Sequence, residues 1–259
     1  MILGILQARA SSRRLPGKVL KPILGRPMLE RQIERLRRSR RMDRLVVATS
    51  VDTSDDAIAA LCQSLAVDCF RGSLEDVLDR FYRAACPYAP RAVVRLTGDC
   101  PLADPIVIDR LIDLHAAAGY EYTSNTLTRS YPDGLDAEVV DFDCLEAAWC
   151  EARLPSEREH VTPFIYHHPE RFRLGNLAEP DDLSHLRWVV DEPEDLAFIA
   201  AIYEALYPAN PAFTTDDVLA LLERRPDIAA LMGRAPTNEG YQRSLAAAAA
   251  VLAARKGKT

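Results

Sequence analysis

Short apolar segments alternate with amphipathic ones along the first half of the chain. Segments rich in aliphatic and β-branched residues predict four strands: ILGIL (2–6), LVVAT (45–49), VDCF (67–70) and AVVRL (92–96). Apolar positions recurring every three to four residues predict helices at 27–39, 55–66, 73–86 and 104–119. This alternation is typical of α/β proteins, so the pattern predicts a Rossmann-like, mostly parallel sheet with flanking helices.

The pattern becomes less regular beyond residue 120. A polar, aromatic and turn-rich region leads into a predicted strand at 137–142. The remaining predictions are helices at 144–151, 156–168 and 192–207, strands at 171–177 and 186–190, and a helical C-terminal tail. We therefore expect one domain over 1–207 with an insert at 120–170, followed by a helical extension at 208–259 packed on it.

The charge distribution is uneven. The net charge is −6 and the isoelectric point is near 5.5, which argues against a nucleic-acid or membrane-surface protein. Residues 7–29, directly after the first strand, nevertheless carry four arginines and two lysines among serines, glycines and prolines. A local cluster of this kind suits a small anion such as a triphosphate, although a solvated loop explains the charge alone equally well.

Two aspartates follow predicted strands at their carboxyl ends. Asp99 closes AVVRLTGD and Asp191 closes LRWVVD, which places both at the edge of the sheet where ligands bind. Two carboxylates together with phosphate oxygens are a ligand set that Mg²⁺ prefers. Asp191 is also a candidate cap for the helix that begins at Pro193, and Asp195 a first-turn acidic residue.

A fixed-spacing motif lies in the charged loop. The string ARxxSxRLPGK resembles the signature loop of the sugar-acid cytidylyltransferases, which make CMP-3-deoxy-octulosonate and CMP-sialic acid, and most of all their SpsF-like branch. The segments KPILGRPML, RGSLEDVLDRF, RLTGDCPLADP, REHVTPFIY, WVVDEPEDL and NEGYQRSL resemble that branch in the same order. The resemblance implies a nucleotide-diphospho-sugar transferase type of fold, CMP transfer from CTP with pyrophosphate release, Mg²⁺ dependence and a homodimer.

Individual residues receive roles from this resemblance and from their chemistry. The catalytic candidates are Arg14, Lys18 and Asp99, and the metal candidates are Asp99 and Asp191. The nucleotide-binding candidates are Ala8, Arg9, Ser12, Arg14, Lys18, Arg71, Ser73, Asp76 and Asp99. Ser73 and Asp76 are explained almost as well as a helix N-cap and a first-turn acidic residue.

The acceptor side lies in the irregular half of the chain. Its candidates supply polar groups for a polyhydroxylated substrate, and Arg158 could meet a carboxylate; they are Asp136, Glu138, Arg158, His160 and Tyr166. A helical histidine is more often a packing or capping residue than a ligand. The segment RLTGDCP differs from the octulosonate and sialate enzymes before its aspartate, which leaves the sugar acid open.

Two other functions compete with this one. A GT-A-like glycosyltransferase would use a DxD metal motif, which DFD at 141–143 formally provides, and a nucleotide-binding relative without catalysis would keep only the fold. Six cysteines without a CxxC pair predict reduced thiols rather than a zinc site or a disulfide framework. With no signal-peptide or membrane-span pattern, we expect a cytoplasmic protein.

Overall fold

A seven-stranded sheet organises the computed structural model, which describes residues 1–233. The strands are β1 (Ile2–Gln7), β2 (Pro22–Ile23), β3 (Arg26–Pro27), β4 (Arg44–Ser50), β5 (Asp68–Gly72), β6 (Ala92–Thr97), β7 (Tyr122–Ser124), β8 (Glu138–Asp141) and β9 (Leu174–Asn176). The sheet order is β5-β4-β1-β6-β8-β7-β9, and β2 and β3 form a separate hairpin. Strands β5, β4, β1 and β6 are parallel, whereas β8 runs antiparallel to both β6 and β7.

Helices cover both faces of this sheet. They are α1 (Met28–Leu36), α2 (Asp56–Ser64), α3 (Val77–Ala85), α4 (Pro105–Ala118), α5 (Phe142–Glu151), α6 (Pro155–His160), α7 (Pro163–Tyr166), α8 (Pro193–Leu206), α9 (Thr215–Arg224) and α10 (Pro226–Ala229). Leu6 and Val94 of the sheet pack with α1, α2, α4, α8 and α9, while Val46 and Val93 pack with α3, α5 and α7. The predicted α/β class is confirmed, because alternate residues of the central strands are buried on opposite faces.

One carboxylate begins two of these helices. Asp104 is the N-cap of α4, where its Oδ1 accepts a hydrogen bond of 2.9 Å from the amide of Ile106. Its Oδ2 accepts bonds of 2.7 Å from both the amide and the hydroxyl of Thr215, the first residue of α9. Asp104 therefore fixes the start of α9 against the start of α4.

Several element predictions were wrong in detail. Residues 186–190 form no strand; a single bridge pairs Asp133 with Arg187. The helix predicted across 156–168 is divided into α6 and α7, because Val161 has a φ of 74° and ends α6. Asp76 rather than Ser73 caps α3, since its Oδ1 accepts from the amide of Asp79.

The cysteines and the helix lengths bear on the predicted compartment. All six cysteines are free thiols, and Cys86 and Cys150 are exposed. Within residues 1–233, no helix combines the length and apolar character needed to cross a bilayer. The NEGYQRSL segment and the alanine-rich tail lie outside the described residues.

Candidate active site

The charged loop after β1 folds back on itself. The amide of Gly17 donates to the carbonyl of Ala10 at 2.9 Å, and the amide of Ala10 donates to Asp55 Oδ1 at 2.7 Å. Gly17 has a φ of 66°, a conformation that glycine adopts without a steric cost, and a short 3₁₀ turn begins directly after it at Lys18. This turn directs the Lys18 side chain toward the carboxyl ends of the parallel strands.

The Lys18 ammonium lies between the two predicted metal ligands. Its Nζ is 2.9 Å from Asp191 Oδ1 and 3.3 Å from Asp99 Oδ2, and it donates to the Val190 carbonyl at 2.7 Å. Burial is the largest single effect and opposes both charges. The ion pairs and hydrogen bonds with Asp99 and Asp191 together nevertheless raise the pKa of Lys18, and the charge of Lys18 with hydrogen bonds from Thr97 and Lys18 lowers the pKa of Asp99 to about 2. Both groups are therefore ionised at neutral pH.

Asp191 does not cap α8. Glu192 is the N-cap of α8, and Asp195 Oδ2 accepts the amides of Asp191 and Glu192 at 2.9 Å each. The Asp191 carboxylate is thus available to Arg14 Nη2 at 2.6 Å and Arg187 Nη2 at 3.2 Å, besides Lys18. Arg14, Lys18, Asp99 and Asp191 come from distant parts of the chain and meet at one place.

This place suits a hard divalent cation. One ammonium already contacts oxygens of Asp99 and Asp191, so a single positive charge can be shared by both carboxylates. Among residues 1–233 no group of three potential ligand side chains exists. Two carboxylates completed by water and phosphate oxygens are the usual arrangement for Mg²⁺ with a nucleotide, so the donor set fits such an ion.

A loop between β7 and β8 lies near Asp99 and packs against the segment that leads to Asp191. Gly134 has a φ of 116°, and a Cβ there would lie 2.6 Å from the carbonyl carbon of Trp188, so only glycine allows this approach. Asp133 lies 3.4 Å from Arg187 Nη1, and burial, followed by the nearby Asp136, raises the pKa of Asp133 to about 6. Asp136 itself is held by Arg129 in two bonds of 2.7 and 3.1 Å.

The nucleotide-binding candidates lie on three segments: the loop after β1, the end of β5 with the turn before α3, and the turn after β6. Ala8 is buried, and its amide donates to the Ala48 carbonyl, while Arg9 is exposed. Ser12 Oγ accepts from the amide of Leu15. Arg71 donates to the Ser50 carbonyl at the end of β4, and it forms an ion pair of 2.7 Å with Asp56 of α2. Ser73 Oγ accepts from the amide of Asp76 and so shapes the start of α3.

Arg158 has an evident structural task. Its guanidinium contacts both oxygens of Asp76 at 2.6 to 3.1 Å and the Trp149 carbonyl at 2.8 Å. These bonds join α6 to α3 and use the donors that were expected to bind an acceptor carboxylate. A role for Arg158 in binding the acceptor stays a prediction, and it would require this ion pair to open.

Three of the other acceptor candidates, Glu138, His160 and Tyr166, lie around an arginine to which the sequence assigned no role, whereas Asp136 is paired with Arg129. Arg95 on β6 lies directly opposite Glu138 on β8, and its Nη1 is 3.1 Å from Glu138 Oε2. His160 and Tyr166 both lie close enough to Arg95 to interact with it electrostatically. A charged residue inside the otherwise apolar segment AVVRL was the available signal.

The DFD segment lies far from this site. Asp141 pairs in register with Ala92 at the beginning of β6, whereas Asp99 follows the end of that strand. Asp141 also contacts His115 Nε2 at 3.1 Å and begins α5. Its position at the opposite edge of the sheet argues against a DxD metal motif.

His160 is expected to make stability depend on pH. Burial, followed by the charges of Arg95 and Arg9, lowers its pKa from 6.5 to about 4 despite the nearby Glu159. The unfolded chain binds a proton at His160 below about pH 6.5 and the folded chain only near pH 4, so acidification through this window should reduce the free energy of unfolding by about 2 to 3 kcal/mol. Chemical denaturation at several pH values measures this loss.

Two variants isolate the contribution of His160. In His160→Gln, the loss of stability between pH 6.5 and 4 should be smaller than in the wild type. The exposed His185 provides a matched control, and His185→Gln should retain the wild-type profile. Identical slopes for His160→Gln and the wild type would contradict the assignment.

Comparison with known proteins places the chain among nucleotide-using enzymes. A family model described as cytidylyltransferase matches residues 3–205. Spore coat polysaccharide biosynthesis protein SpsF of Bacillus subtilis is 36% identical over 235 residues, covering 88% of this chain and 96% of that protein. The mitochondrial 3-deoxy-manno-octulosonate cytidylyltransferase of Arabidopsis thaliana is 32% identical over 146 residues, covering 54% and 48%.

A solved structure agrees with these matches. The structure of a cytidylyltransferase from Leptospira borgpetersenii superposes with a TM-score of 0.85 at 30% sequence identity, covering 91% of this chain and 98% of the other. The similarity therefore extends over nearly the whole sheet and its helices, including the elements that carry Lys18, Asp99 and Asp191.

Proposed function

Because this chain belongs to the cytidylyltransferase family, we propose that it transfers CMP from CTP to a hydroxyl group of a sugar acid in surface-polysaccharide biosynthesis. The observation that carries the proposal is the meeting of Arg14 and Lys18 with Asp99 and Asp191 at the carboxyl edge of the sheet. Cations that match phosphate oxygens and carboxylates that match a divalent ion are the two requirements of nucleotidyl transfer.

The reaction is an in-line displacement at the α-phosphorus of CTP. The acceptor oxygen forms the new bond to phosphorus, the bond to the β-phosphate oxygen breaks, and pyrophosphate leaves. The hydroxyl proton is lost to solvent. Such reactions need little covalent help from the protein, because positioning and charge neutralisation supply most of the reduction in barrier.

The residues of the site divide these tasks. Arg14 and Lys18 hold the phosphates and stabilise the charge that develops on pyrophosphate. Asp99 and Asp191 would hold Mg²⁺, which when bound neutralises phosphate charge and lowers the pKa of a coordinated hydroxyl. Arg187 bridges Asp191 and Asp195 and so keeps Asp191 oriented toward the loop.

Two relatives support a sugar acid as the acceptor. SpsF is named for spore coat polysaccharide biosynthesis, and the Arabidopsis relative is named as a 3-deoxy-manno-octulosonate cytidylyltransferase. The polar groups around Arg95, Glu138 and His160 suit a polyhydroxylated acid better than an apolar acceptor.

Pyrophosphate release tests the proposal directly. We expect release when the enzyme is mixed with CTP, Mg²⁺ and a matching sugar acid from a panel containing 3-deoxy-manno-octulosonate and N-acetylneuraminate, and at least 100-fold slower release when the acid or Mg²⁺ is omitted. Consumption of a sugar nucleotide would favour a glycosyltransferase. Binding of CTP with no release for any acid would indicate a nucleotide-binding protein without this activity.

A further inference from the structure

We propose that Arg95 binds the acidic group of the acceptor, in a pocket formed with Glu138, His160, Thr162 and Tyr166. This inference rests on the proposed function and names a residue for substrate choice. The pocket lies on the face of the sheet covered by α6 and α7. It is separate from the group of Arg14, Lys18, Asp99 and Asp191 that faces the phosphates.

Strand geometry places Arg95 near the reacting centre without joining it. Arg95 and Thr97 point to the same face of β6, because side chains alternate along a strand. Asp99 follows four residues after Arg95, and because β6 ends at Thr97, the two Cα atoms are at most about 13 Å apart. An acceptor held by Arg95 can therefore extend its hydroxyl toward Asp99.

The hydrogen bonds of Arg95 are incomplete. Its Nη1 contacts Glu138 Oε2 at 3.1 Å, and Thr162 Oγ1 donates to the same oxygen at 3.0 Å. The buried Nε has no hydrogen-bond partner among residues 1–233. A buried N–H group without a partner costs free energy, and a carboxylate oxygen of a ligand would satisfy it.

The backbone beside this pocket is strained. Val161 is a buried β-branched residue with φ of 74° and ψ of −56°, and the amide of Thr162 donates to the His160 carbonyl at 2.9 Å. This is a γ-turn with positive φ, which is rare and costs of the order of 1–3 kcal/mol. The turn places His160 and Thr162 on either side of Val161 and presents both to the sheet face. Strain of this kind tends to be retained where it positions functional side chains.

Charges of both signs surround the pocket. Glu138 pairs with Arg95, and Glu159 lies 3.9 Å from His160, while Arg9 also lies near His160 and Arg80 lies near Arg9. Arg80 is fully buried, and its Nε and Nη2 are likewise without hydrogen-bond partners among the described residues. His160 is neutral at physiological pH, so it can exchange hydrogen bonds with hydroxyl groups without adding charge.

The experiment compares each sugar acid with its methyl ester, which keeps the hydroxyl groups and removes the negative charge. In the wild type we expect kcat/KM for the methyl ester of the best acid to be about 30- to 100-fold lower than kcat/KM for the acid itself. Replacing only Arg95 would leave Glu138 buried without its partner, so the test variant is Arg95→Gln combined with Glu138→Gln. The kcat/KM of this variant for the acid should fall by about the same 30- to 100-fold. Its kcat/KM for the ester should stay at the wild-type value.

Three controls separate the possible causes. The KM for CTP should stay within twofold of the wild type, because the pocket does not face the phosphates. Arg95→Lys should recover part of the preference for the acid. Arg41→Gln, which removes an exposed arginine paired with Asp113, should behave as the wild type.

Different results overturn different statements. A double variant that still discriminates acid from ester as strongly as the wild type would overturn the role of Arg95. A wild-type enzyme that releases pyrophosphate with no acid of the panel would overturn the proposed function, and this inference with it.

Discussion

Replacing Lys18 with methionine should lower kcat by about 1,000-fold while the protein remains folded. Methionine keeps most of the buried apolar stem but removes the ammonium that contacts Asp99, Asp191 and the Val190 carbonyl. Two effects then add: the charge that stabilises the leaving pyrophosphate is lost, and the two carboxylates repel each other without a cation between them. Steady-state kinetics with saturating CTP and acceptor, together with a thermal unfolding curve, measure both consequences.

Lys21 provides the matched control for this experiment. It lies three residues away in the same loop, at the end of the 3₁₀ turn, and no side-chain contact joins it to the two aspartates among the described residues. Lys21→Met should therefore retain turnover within about threefold. A Lys18→Met enzyme within tenfold of the wild type would remove Lys18 from the mechanism.

Replacing Asp99 with asparagine should lower the metal-dependent rate by roughly 1,000-fold or more in kcat/KM. The reason is that the loss of one of the two proposed carboxylate ligands removes several kcal/mol of charge stabilisation. CTP binding should be affected less than turnover. Lys18, which contacts Asp99, keeps its positive charge, and asparagine at position 99 no longer repels the phosphates of CTP. Titration of Mg²⁺ at fixed CTP should give a saturation midpoint shifted upward by at least tenfold.

A second aspartate with a similar pKa tests whether the effect is specific. Arg225 lowers the pKa of Asp227 to about 2, as Lys18 does for Asp99, but Asp227 lies in α10 at the surface. Asp227→Asn should leave kcat and the Mg²⁺ midpoint unchanged. An Asp99→Asn enzyme with the wild-type Mg²⁺ dependence would exclude Asp99 as a metal ligand.

The central strands could be predicted from sequence because burial on both faces makes them continuous apolar runs. Residues 186–190 carry the same pattern for a different reason. Trp188 and Val190 are buried by packing, and the backbone is held by a bond from the Trp188 amide to the Asp133 carbonyl rather than by a strand ladder. A run of apolar residues indicates that the segment is buried. It does not show whether a neighbouring strand is present to pair with it.

The candidate site shows a similar division. The spacing of Arg14 and Lys18 predicts the phosphate side, since both lie in one local motif. The role of Asp191 depended on whether another residue capped α8, and Asp195 does so from the first turn together with Glu192. The pairing of Arg158 with Asp76 and of Arg95 with Glu138 joins residues 82 and 43 positions apart, which no local pattern reveals.

The carboxylate of Asp104 connects α9 with the part of the chain before residue 207. Asp104 holds the first turns of α4 and α9 together, and Arg35 of α1 donates to the carbonyls of both Ala103 and Phe213. The start of α9 is therefore bonded to the segment that follows Asp99. A truncated chain ending at 207 would lose these hydrogen bonds close to Asp99. Helix α9 thus supports the edge of the sheet that carries the candidate site, and substitutions at the start of α9 should make that edge less rigid.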